Sequence, residues 1–449
     1  MTRAGGQAPT PDAALLRAVG TWGLAASIVN VTVGAGIFRL PASVASSLGP
    51  AAPLAYGLCA VAMGLIVLCF AEAGSRVSLT GGLYAYVEVA FGPFVGFLGG
   101  ALLWAGLTAA LAAVVTFFAE SVGALVPTLA SVSARQTTIV VVLAVLAALN
   151  VLGVRDANRF NAVLTVAKLV PLALLVAVGA FAMHGENLTW RELPSAGAVA
   201  RASTILLFAF LGVEAALVPS GEVRDPARTV PRAVLLAITA IAVLYLAVQT
   251  VAQGILGDAL AVQKTPLAEA AGVALGPWGR VLILVGSTLS MFAYVSGMTL
   301  AVPRMLFAFA RDGFLPVGVA AVHQRFRTPH RAIVIQTLLI IVLALTGSFE
   351  WLAVVATGGV LLVYAACCLA AVELRRRDIR AGGAPFQVPG ARVIPWLALV
   401  VIASLLTSLQ LREWVGVLVA IGIAVIVYAV SRGRRATAAV SGTTAGGGD

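Results

Sequence analysis

The chain has 449 residues, of which 61% are hydrophobic and only 10% are charged. Because soluble domains usually carry about a quarter of charged residues, this composition excludes a soluble globular protein and indicates an integral membrane protein. The formal charge of +11 comes from Lys and Arg residues that cluster near the ends of apolar runs. Such a distribution sets membrane topology and does not indicate a nucleic-acid partner.

Twelve apolar runs follow one another along the chain, which predicts an all-α protein with twelve transmembrane helices and short loops. The predicted spans are 20–47, 52–75, 94–124, 137–153, 160–183, 200–221, 233–256, 277–308, 331–347, 350–373, 394–410 and 413–431. Most Lys and Arg residues fall in loops on the same side as both chain ends. We therefore expect a multi-pass protein of the cytoplasmic (inner) membrane with both termini in the cytoplasm.

The two ends of the chain lie outside the predicted spans. Residues 1–19 are polar and are expected to form a cytoplasmic N-terminus. No cleaved signal peptide is predicted, because the apolar run that follows is too long and lacks a small-residue cleavage pattern. Residues 432–449 are rich in Ala, Gly and Thr and are expected to be a disordered cytoplasmic tail.

Two of the runs contain residues that interrupt helices. The first is interrupted at Gly34 and Gly36 and then meets Pro41, and the sixth contains Gly212 with Pro219 close behind. Each run opens a group of five, which is where inverted-repeat transporters place discontinuous helices. Alternatively, the glycines serve only close helix packing. The repeats so defined are 20–183 and 200–373, with 394–431 as two additional helices.

Five segments in order resemble motifs of the amino acid, polyamine and organocation transporter superfamily. They are residues 34–38, 72–76 with 81–92, 222–233, 310–316 with 328–329, and 385–390. Each segment is weak alone, but their order between the predicted spans makes the resemblance specific over nearly the whole chain. The resemblance implies the fold of sodium-coupled leucine transporters, a 5+5 inverted repeat with helices 1 and 6 discontinuous and two extra C-terminal helices.

A zwitterionic amino acid needs partners for both charges at mid-membrane. The helix fragment that starts near Gly36 presents N-terminal amides to a carboxylate, and fragments that end near Thr32 and Phe210 present carbonyls to an ammonium. The resemblance implies that the carboxylate binds Gly34, Ala35 and Gly36, and that the amine binds the carbonyls of Thr32, Phe208 and Leu211. Such recognition specifies an amino acid but not its side chain.

The resemblance also implies that Phe208 is an aromatic gate over the substrate, although a Phe in a membrane helix is commonly an ordinary core contact. Some exchangers for arginine or agmatine have a second aromatic on helix 8, where the approximate match here is Met298. Since no acidic side chain besides Glu214 is predicted at the midplane, we expect a neutral or small amino acid as substrate.

Lys168 lies inside the fifth span, where a charge must be paired, hydrated or neutral. It matches a family position whose ammonium replaces a sodium ion and contacts carbonyls of the first helix, which implies sodium-independent transport. Lys168 is thus either a permanent strut between helices 5 and 1 or a group that couples transport to protons; the remaining alternative is that its charge extends to the membrane interface.

Two more charges near the interrupted helices have alternative roles. Glu214 is expected to accept hydrogen bonds from freed backbone amides, and a part in proton coupling is the second interpretation. Arg39 is expected either to attract anionic groups at the outer mouth or to pair with Glu120.

The sequence predicts a secondary active transporter for amino acids, coupled to protons or working as an exchanger, and not an enzyme. A permease for polyamines or other organic cations and a non-transporting membrane sensor are the alternatives. Neither a nucleophile with a base nor a metal-site spacing is present in the sequence, so no cofactor and no metal are expected. The expected partners are the substrate and the lipid bilayer, and both a monomer and a homodimer remain open.

Overall fold

The computed structural model describes residues 19–77, 79, 82–152, 157–190, 192–217, 223–380 and 384–444, with the backbone alone for 157–167 and 432–444. Residues outside the described part include 1–18 of the predicted N-terminal segment 1–19, the motif residues Gly81 and Glu222, and Pro219. The helices are α1 Thr21–Thr32, α2 Ala35–Leu48, α3 Ala52–Arg76, α4 Leu83–Phe91, α5 Pro93–Leu125, α6 Val132–Leu152, α7 Ala157–Gly179, α8 Ala196–Leu207, α9 Val213–Ala216, α10 Pro226–Leu256, α11 Pro266–Leu275, α12 Pro277–Arg311, α13 His330–Thr346, α14 Phe349–Arg376, α15 Ile394–Leu406 and α16 Leu411–Thr444.

All regular secondary structure in the described part of the chain is helical, apart from one isolated parallel β-bridge between Val19 and Val223. Eight stretches in it are long and apolar enough to cross a membrane. Four shorter apolar helices join them, at Lys168–Ala182, Pro266–Leu275, His330–Thr346 and Ile394–Leu406. The chain is therefore a multi-pass helical membrane protein.

The observed helices differ from the predicted spans in three places. Helices α4 and α11 were not predicted, because segments of 9 and 10 residues are too short to be recognised as spans. Helix α16 continues to Thr444, past the predicted end at 431. The backbone of the predicted disordered tail is thus helical up to that residue, and residues 445–449 lie outside the described part.

The helices that surround the two interrupted ones pack closely. Helix α3 packs along α10, α5 packs along α14 and α12, and α1 packs against α10. A Cβ on Gly106 of α5 would lie 2.7 Å from Val360 Cγ2 and 3.2 Å from the Ala356 carbonyl oxygen, so glycine at this position permits the close contact with α14. These neighbours hold the interrupted segments in the middle of the bundle.

The two ends of the bundle have different ion pairs. At one end, here called the arginine-rich end, the buried Glu72 accepts hydrogen bonds from Arg375 at 2.5 and 2.7 Å and from Arg76 at 3.2 Å. The Arg380 guanidinium, which donates to Asp378 in the loop beside them, holds the pKa of that carboxyl below its usual value. At the opposite end, here called the Glu350 end, Arg39 binds Glu350 at 2.9 Å.

Candidate functional site

The two interrupted helices cross at their interruptions. Helix α1 ends at Thr32 and α2 begins at Ala35, with Val33 and Gly34 outside both helices. Helix α8 ends at Leu207, and a single 3₁₀ turn over Phe208–Phe210 leads to α9 at Val213. Each interruption leaves helix-end amides and carbonyls without their intrahelical partners, which creates a polar region inside an apolar bundle.

Two glycines make this crossing possible. A Cβ on Gly36 would lie 2.5 Å from Ala209 Cα and 2.7 Å from Ala209 Cβ, so no larger residue fits there. A Cβ on Gly212 would lie 3.0 Å from Thr32 Cα. Gly212 also has a φ of 127°, a backbone conformation that residues with a side chain rarely adopt. The contact is reciprocal, because a glycine of each interruption faces the backbone of the other.

The carbonyl groups predicted to bind the amine have internal contacts. The Tyr245 hydroxyl on α10 lies 3.1 Å from the Thr32 carbonyl oxygen and 3.0 Å from that of Ala209. The Phe208 carbonyl accepts the Leu211 amide at 3.3 Å. A carbonyl oxygen has two lone pairs, so these contacts leave capacity for a ligand. The assignment of Thr32, Phe208 and Leu211 to the amine stays a prediction.

Glu214 fastens the second interruption to α14. Its Oε1 accepts the Gly212 amide at 3.0 Å, and its Oε2 accepts the Tyr364 hydroxyl at 2.6 Å. The residue is fully buried. A carboxylate in this setting needs both donors, since an unpaired buried charge is expensive. This geometry favours the structural role over a proton-coupling role.

Lys168 on α7 reaches the first interruption from the other side. Its Nζ donates to the carbonyl oxygen of Asn30, and the residue is buried. An uninterrupted helix would pair that carbonyl with the amide of residue 34, so the interruption frees it for the ammonium. Lys168, Asn30, Ala215, Tyr294 and residues near them line a cavity of about 230 Å³. The cavity lies between the interruptions and the arginine-rich end.

Aromatic rings fill the route from the interruptions to the Glu350 end. The ring of Phe208 meets that of Phe349 at 5.6 Å, and Phe349 meets Phe117 at 5.9 Å. Arg39 caps these rings, with its guanidinium 6.0 Å from the centre of Phe117 and a bond to Glu350. We call Phe208, Phe349, Phe117, Arg39 and Glu350 the plug.

Of the two roles left open for Arg39, the ion pair with Glu120 is not the one that the structure shows. Arg39 binds Glu350 together with the carbonyl oxygens of Gln263 and Lys264, at 3.4 and 3.0 Å, whereas Glu120 lies 4.0 Å from Arg135. Arg39 and Glu350 are separated by 311 positions, so only the tertiary fold, which places the start of α14 and the segment before α11 beside Arg39, brings these groups together.

Sequence reasoning also missed Tyr294. The resemblance places the helix-8 position at Met298, whereas the aromatic residue that faces the first interruption is Tyr294 on α12. A Cβ on Gly34 would lie 3.9 Å from Tyr294 Cδ2. Met298 lines the Lys168 cavity one turn further along. An inspection of the residue four positions earlier, which lies on the same helix face, would have found this tyrosine.

The described residues contain no group of three or more His, Cys, Asp or Glu side chains that could hold a metal ion. The four cysteines are free and buried. The polar groups at the crossing include main-chain groups, tyrosine hydroxyls, the buried Thr32 hydroxyl, one ammonium and one carboxylate, and this set can bind a small polar molecule.

Comparisons with known proteins identify the family of the chain. The sequence profile of the family described as "Amino acid permease" matches residues 19–431. The methylthioribose transporter and the branched-chain amino acid permease of Bacillus subtilis are each 26% identical to the chain, with 94% of each chain covered. An uncharacterized transporter of Mycobacterium tuberculosis is 31% identical, with 92% of this chain and 91% of the relative covered. The chain is thus a transporter, not an enzyme, and belongs to the amino acid permease family of the amino acid, polyamine and organocation superfamily.

Proposed function

We propose that this permease is a secondary transporter that moves a neutral or small amino acid across the cytoplasmic membrane by alternating access, without sodium. The observation that carries the proposal is the crossing of the two interrupted helices, where Gly36 contacts Ala209 and Gly212 contacts Thr32. Free amides at the start of α2 suit a carboxylate, and carbonyls at the ends of α1 and α8 suit an ammonium. Alternating access acts on such a site between two parts of the bundle.

Twelve spans in a 5+5 inverted repeat, with two further helices and both termini in the cytoplasm, are part of this proposal. In that orientation the arginine-rich end faces the cytoplasm, in agreement with the positive-inside rule. The plug then closes the outer side, and the Lys168 cavity lies on the cytoplasmic side.

Independence from sodium rests on Lys168. Its ammonium contacts the Asn30 carbonyl beside the first interruption, and a resident cation there takes the place of a bound metal cation. The same geometry suits both a fixed strut and a proton carrier. Proton symport and exchange therefore remain the two coupling modes of the proposal.

Uptake into proteoliposomes tests the proposal. The panel contains tritiated neutral amino acids, putrescine and methylthioribose, each measured with and without sodium, an inward proton gradient and unlabelled substrate inside. We expect saturable uptake of a neutral amino acid that ignores sodium. A response to the proton gradient identifies symport, and a response to internal substrate identifies exchange.

Three outcomes contradict the proposal. Uptake of putrescine alone replaces it with an organic cation permease, and uptake of methylthioribose alone shows that recognition does not depend on a carboxylate. Binding without flux for every compound replaces it with a membrane sensor. Gly36→Ala is the matched negative control, because its Cβ would occupy the crossing, while Gly64→Ala on α3 has no neighbour within 4 Å and serves as the positive control.

A further inference from the structure

The turn between the last two helices contacts both of the helices that carry the aromatic rings of the plug. Helix α15 ends at Leu406 and α16 begins at Leu411, and we call residues 405–413 the terminal turn. The last two helices pack against α8, which ends one residue before Phe208, and against α14, which begins at Phe349. The rings of Phe208 and Phe349 therefore meet between two helices that a third element joins.

On the α8 side, an arginine binds the terminal turn through a bidentate ion pair. The Arg201 guanidinium donates to the two carboxylate oxygens of Glu413 at 2.5 and 2.6 Å, and to the Ser408 carbonyl oxygen at 3.3 Å. The side chain of Glu413 is 4% exposed and that of Arg201 is 34% exposed. Three positions further along α8, the buried Thr204 hydroxyl lies 2.7 Å from that of Ser408. Two parallel bonds to one carboxylate fix the orientation of the partners as well as their distance.

Glu413 also shapes the terminal turn itself. Its Oε2 accepts the Gln410 amide at 2.7 Å, and its own amide donates to the Gln410 carbonyl oxygen at 3.0 Å. The side chain thus closes the first turn of α16 in the manner of the glutamate of a capping box. Because the same carboxylate caps α16 and binds Arg201, it holds α8 at a fixed place relative to the start of α16.

On the other side, the terminal turn contacts α14. The Arg412 guanidinium lies 5.6 Å from the centre of the Trp351 ring, in the same helical turn as the two plug residues of α14. Further along α14, a Cβ on Gly358 would lie 3.3 Å from Leu409 Cδ1, so glycine permits the close approach of the terminal turn. Arg412 and Glu413 are neighbours in sequence. One short segment therefore binds the helices on both sides of the ring contact.

We propose that Glu413 is a positioning residue of the plug, because the terminal turn joins α8 to the start of α14 and thereby keeps the ring of Phe208 against that of Phe349. Opening of the plug must separate these rings, so the two helices have to move apart at the Glu350 end. The pair of Arg201 and Glu413 resists that movement. Glu413 touches no plug ring and acts through the position of α8. The inference rests on the proposed function only for the name of the outer face.

Cysteine labelling tests the proposal. The reporter is Gly34→Cys at the first interruption, where an added Cβ meets only ordinary contacts at 3.9 Å or more. A membrane-impermeant maleimide is applied to right-side-out and to inside-out vesicles. Glu413→Gln keeps an oxygen for the Gln410 amide but loses the ion pair. We expect it to speed labelling from the Glu350 end about fivefold, the scale of one partly exposed ion pair, without faster labelling from the arginine-rich end.

A double substitution separates the positioning role from general loosening. Arg201→Gln should also speed labelling, and Glu413→Gln should add nothing further in the Arg201→Gln background, because both changes remove the same bond. The matched control is Glu269→Gln, which removes an ion pair with Arg280 between α11 and α12. Its labelling rate should equal that of the parent protein.

The contact on the α14 side is tested with Arg412→Gln, which removes the contact with Trp351 and should speed labelling about twofold. An unchanged rate in Glu413→Gln or in Arg412→Gln overturns the proposal. So do additive effects of Arg201→Gln and Glu413→Gln, equal acceleration from both ends, or acceleration by Glu269→Gln. Labelling requires neither a substrate nor flux, so these results stand even if the uptake assays contradict the proposed function.

Discussion

The hydroxyl oxygen of Tyr245 lies 3.1 Å from the carbonyl oxygen of Thr32, the last residue of α1. The same hydroxyl lies 3.0 Å from the carbonyl of Ala209 in the other interrupted helix. One group on an uninterrupted helix thus fastens both interruptions, and any movement that separates α1 from the 3₁₀ turn must break one of these contacts.

Tyr245→Phe should destabilise the protein and slow transport. The substitution keeps the ring and its contact with Phe210 at 5.2 Å but removes the hydroxyl, which leaves the two carbonyls without this donor. We expect a loss of about 1 kcal/mol in unfolding free energy, the usual scale for one buried hydrogen bond. Thermal unfolding in detergent and uptake rates measure the effect.

The matched control for that change is Tyr56→Phe on α3. The Tyr56 hydroxyl is buried without a hydrogen-bond partner among the described residues, so its removal should be neutral or slightly stabilising. Equal losses in Tyr56→Phe and Tyr245→Phe would show that the contacts with Thr32 and Ala209 have no special role.

Gly36→Ala should abolish transport. The added Cβ would lie 2.5 Å from Ala209 Cα, and because the clash is with backbone, no side-chain rotation relieves it. Overpacking of this kind costs about 1–3 kcal/mol. Gly57→Ala, at a position with nothing within 4 Å, is the control in a parallel uptake and thermal-unfolding measurement. Normal uptake by Gly36→Ala would mean that the crossing opens far more widely during the cycle than this structure indicates.

Lys168→Met should reduce uptake at least tenfold, because the Asn30 carbonyl loses its donor and α1 loses its attachment to α7. Lys168→Arg keeps the charge and distinguishes the two roles. A strut predicts substantial uptake for Lys168→Arg with the pH profile of wild type, and a proton carrier predicts uptake that no longer responds to a proton gradient. Unchanged uptake and unchanged pH dependence in Lys168→Met would eliminate both roles.

Glu350→Gln should favour opening of the plug. It removes the ion pair with Arg39, whose side chain is 17% exposed, and a partly exposed pair contributes up to about 1 kcal/mol, or a shift of about fivefold in the equilibrium between closed and open plugs. The readout is the labelling rate of Ser290→Cys, a buried position on α12, by a membrane-impermeant thiol reagent. All four native cysteines are buried, so background labelling is low.

The charge swap Arg39→Glu with Glu350→Arg is the corresponding control, because it restores an ion pair at the same place. It should bring the labelling rate of Ser290→Cys back toward that of the parent protein. Fast labelling in both the swap and Glu350→Gln would show that the aromatic rings, not the ion pair, keep the plug closed.

The sequence predicted the features that depend on local composition. Long apolar runs located most of the long helices, and Gly34 and Gly212 marked the interruptions, because glycine alone tolerates a close backbone approach or a positive φ. Lys168 was identifiable because a charge inside an apolar run is conspicuous.

Features that depend on long-range packing could not be predicted. Arg39 and Glu350 are separated by 311 positions, and Tyr245 and Thr32 by 213. Tyr245 lies in an ordinary apolar helix, where no local pattern marks a hydroxyl that bonds two distant carbonyls. Helices α4 and α11 were missed because short apolar segments give the same signal as parts of loops.

The contact between Lys168 and the Asn30 carbonyl ties the first helix to a cation that the medium does not supply. A cation that is covalently part of the polypeptide has a fixed, high effective concentration at its site, and dilution cannot remove it. The first helix therefore keeps its contact with Lys168 whatever the salt concentration of the medium.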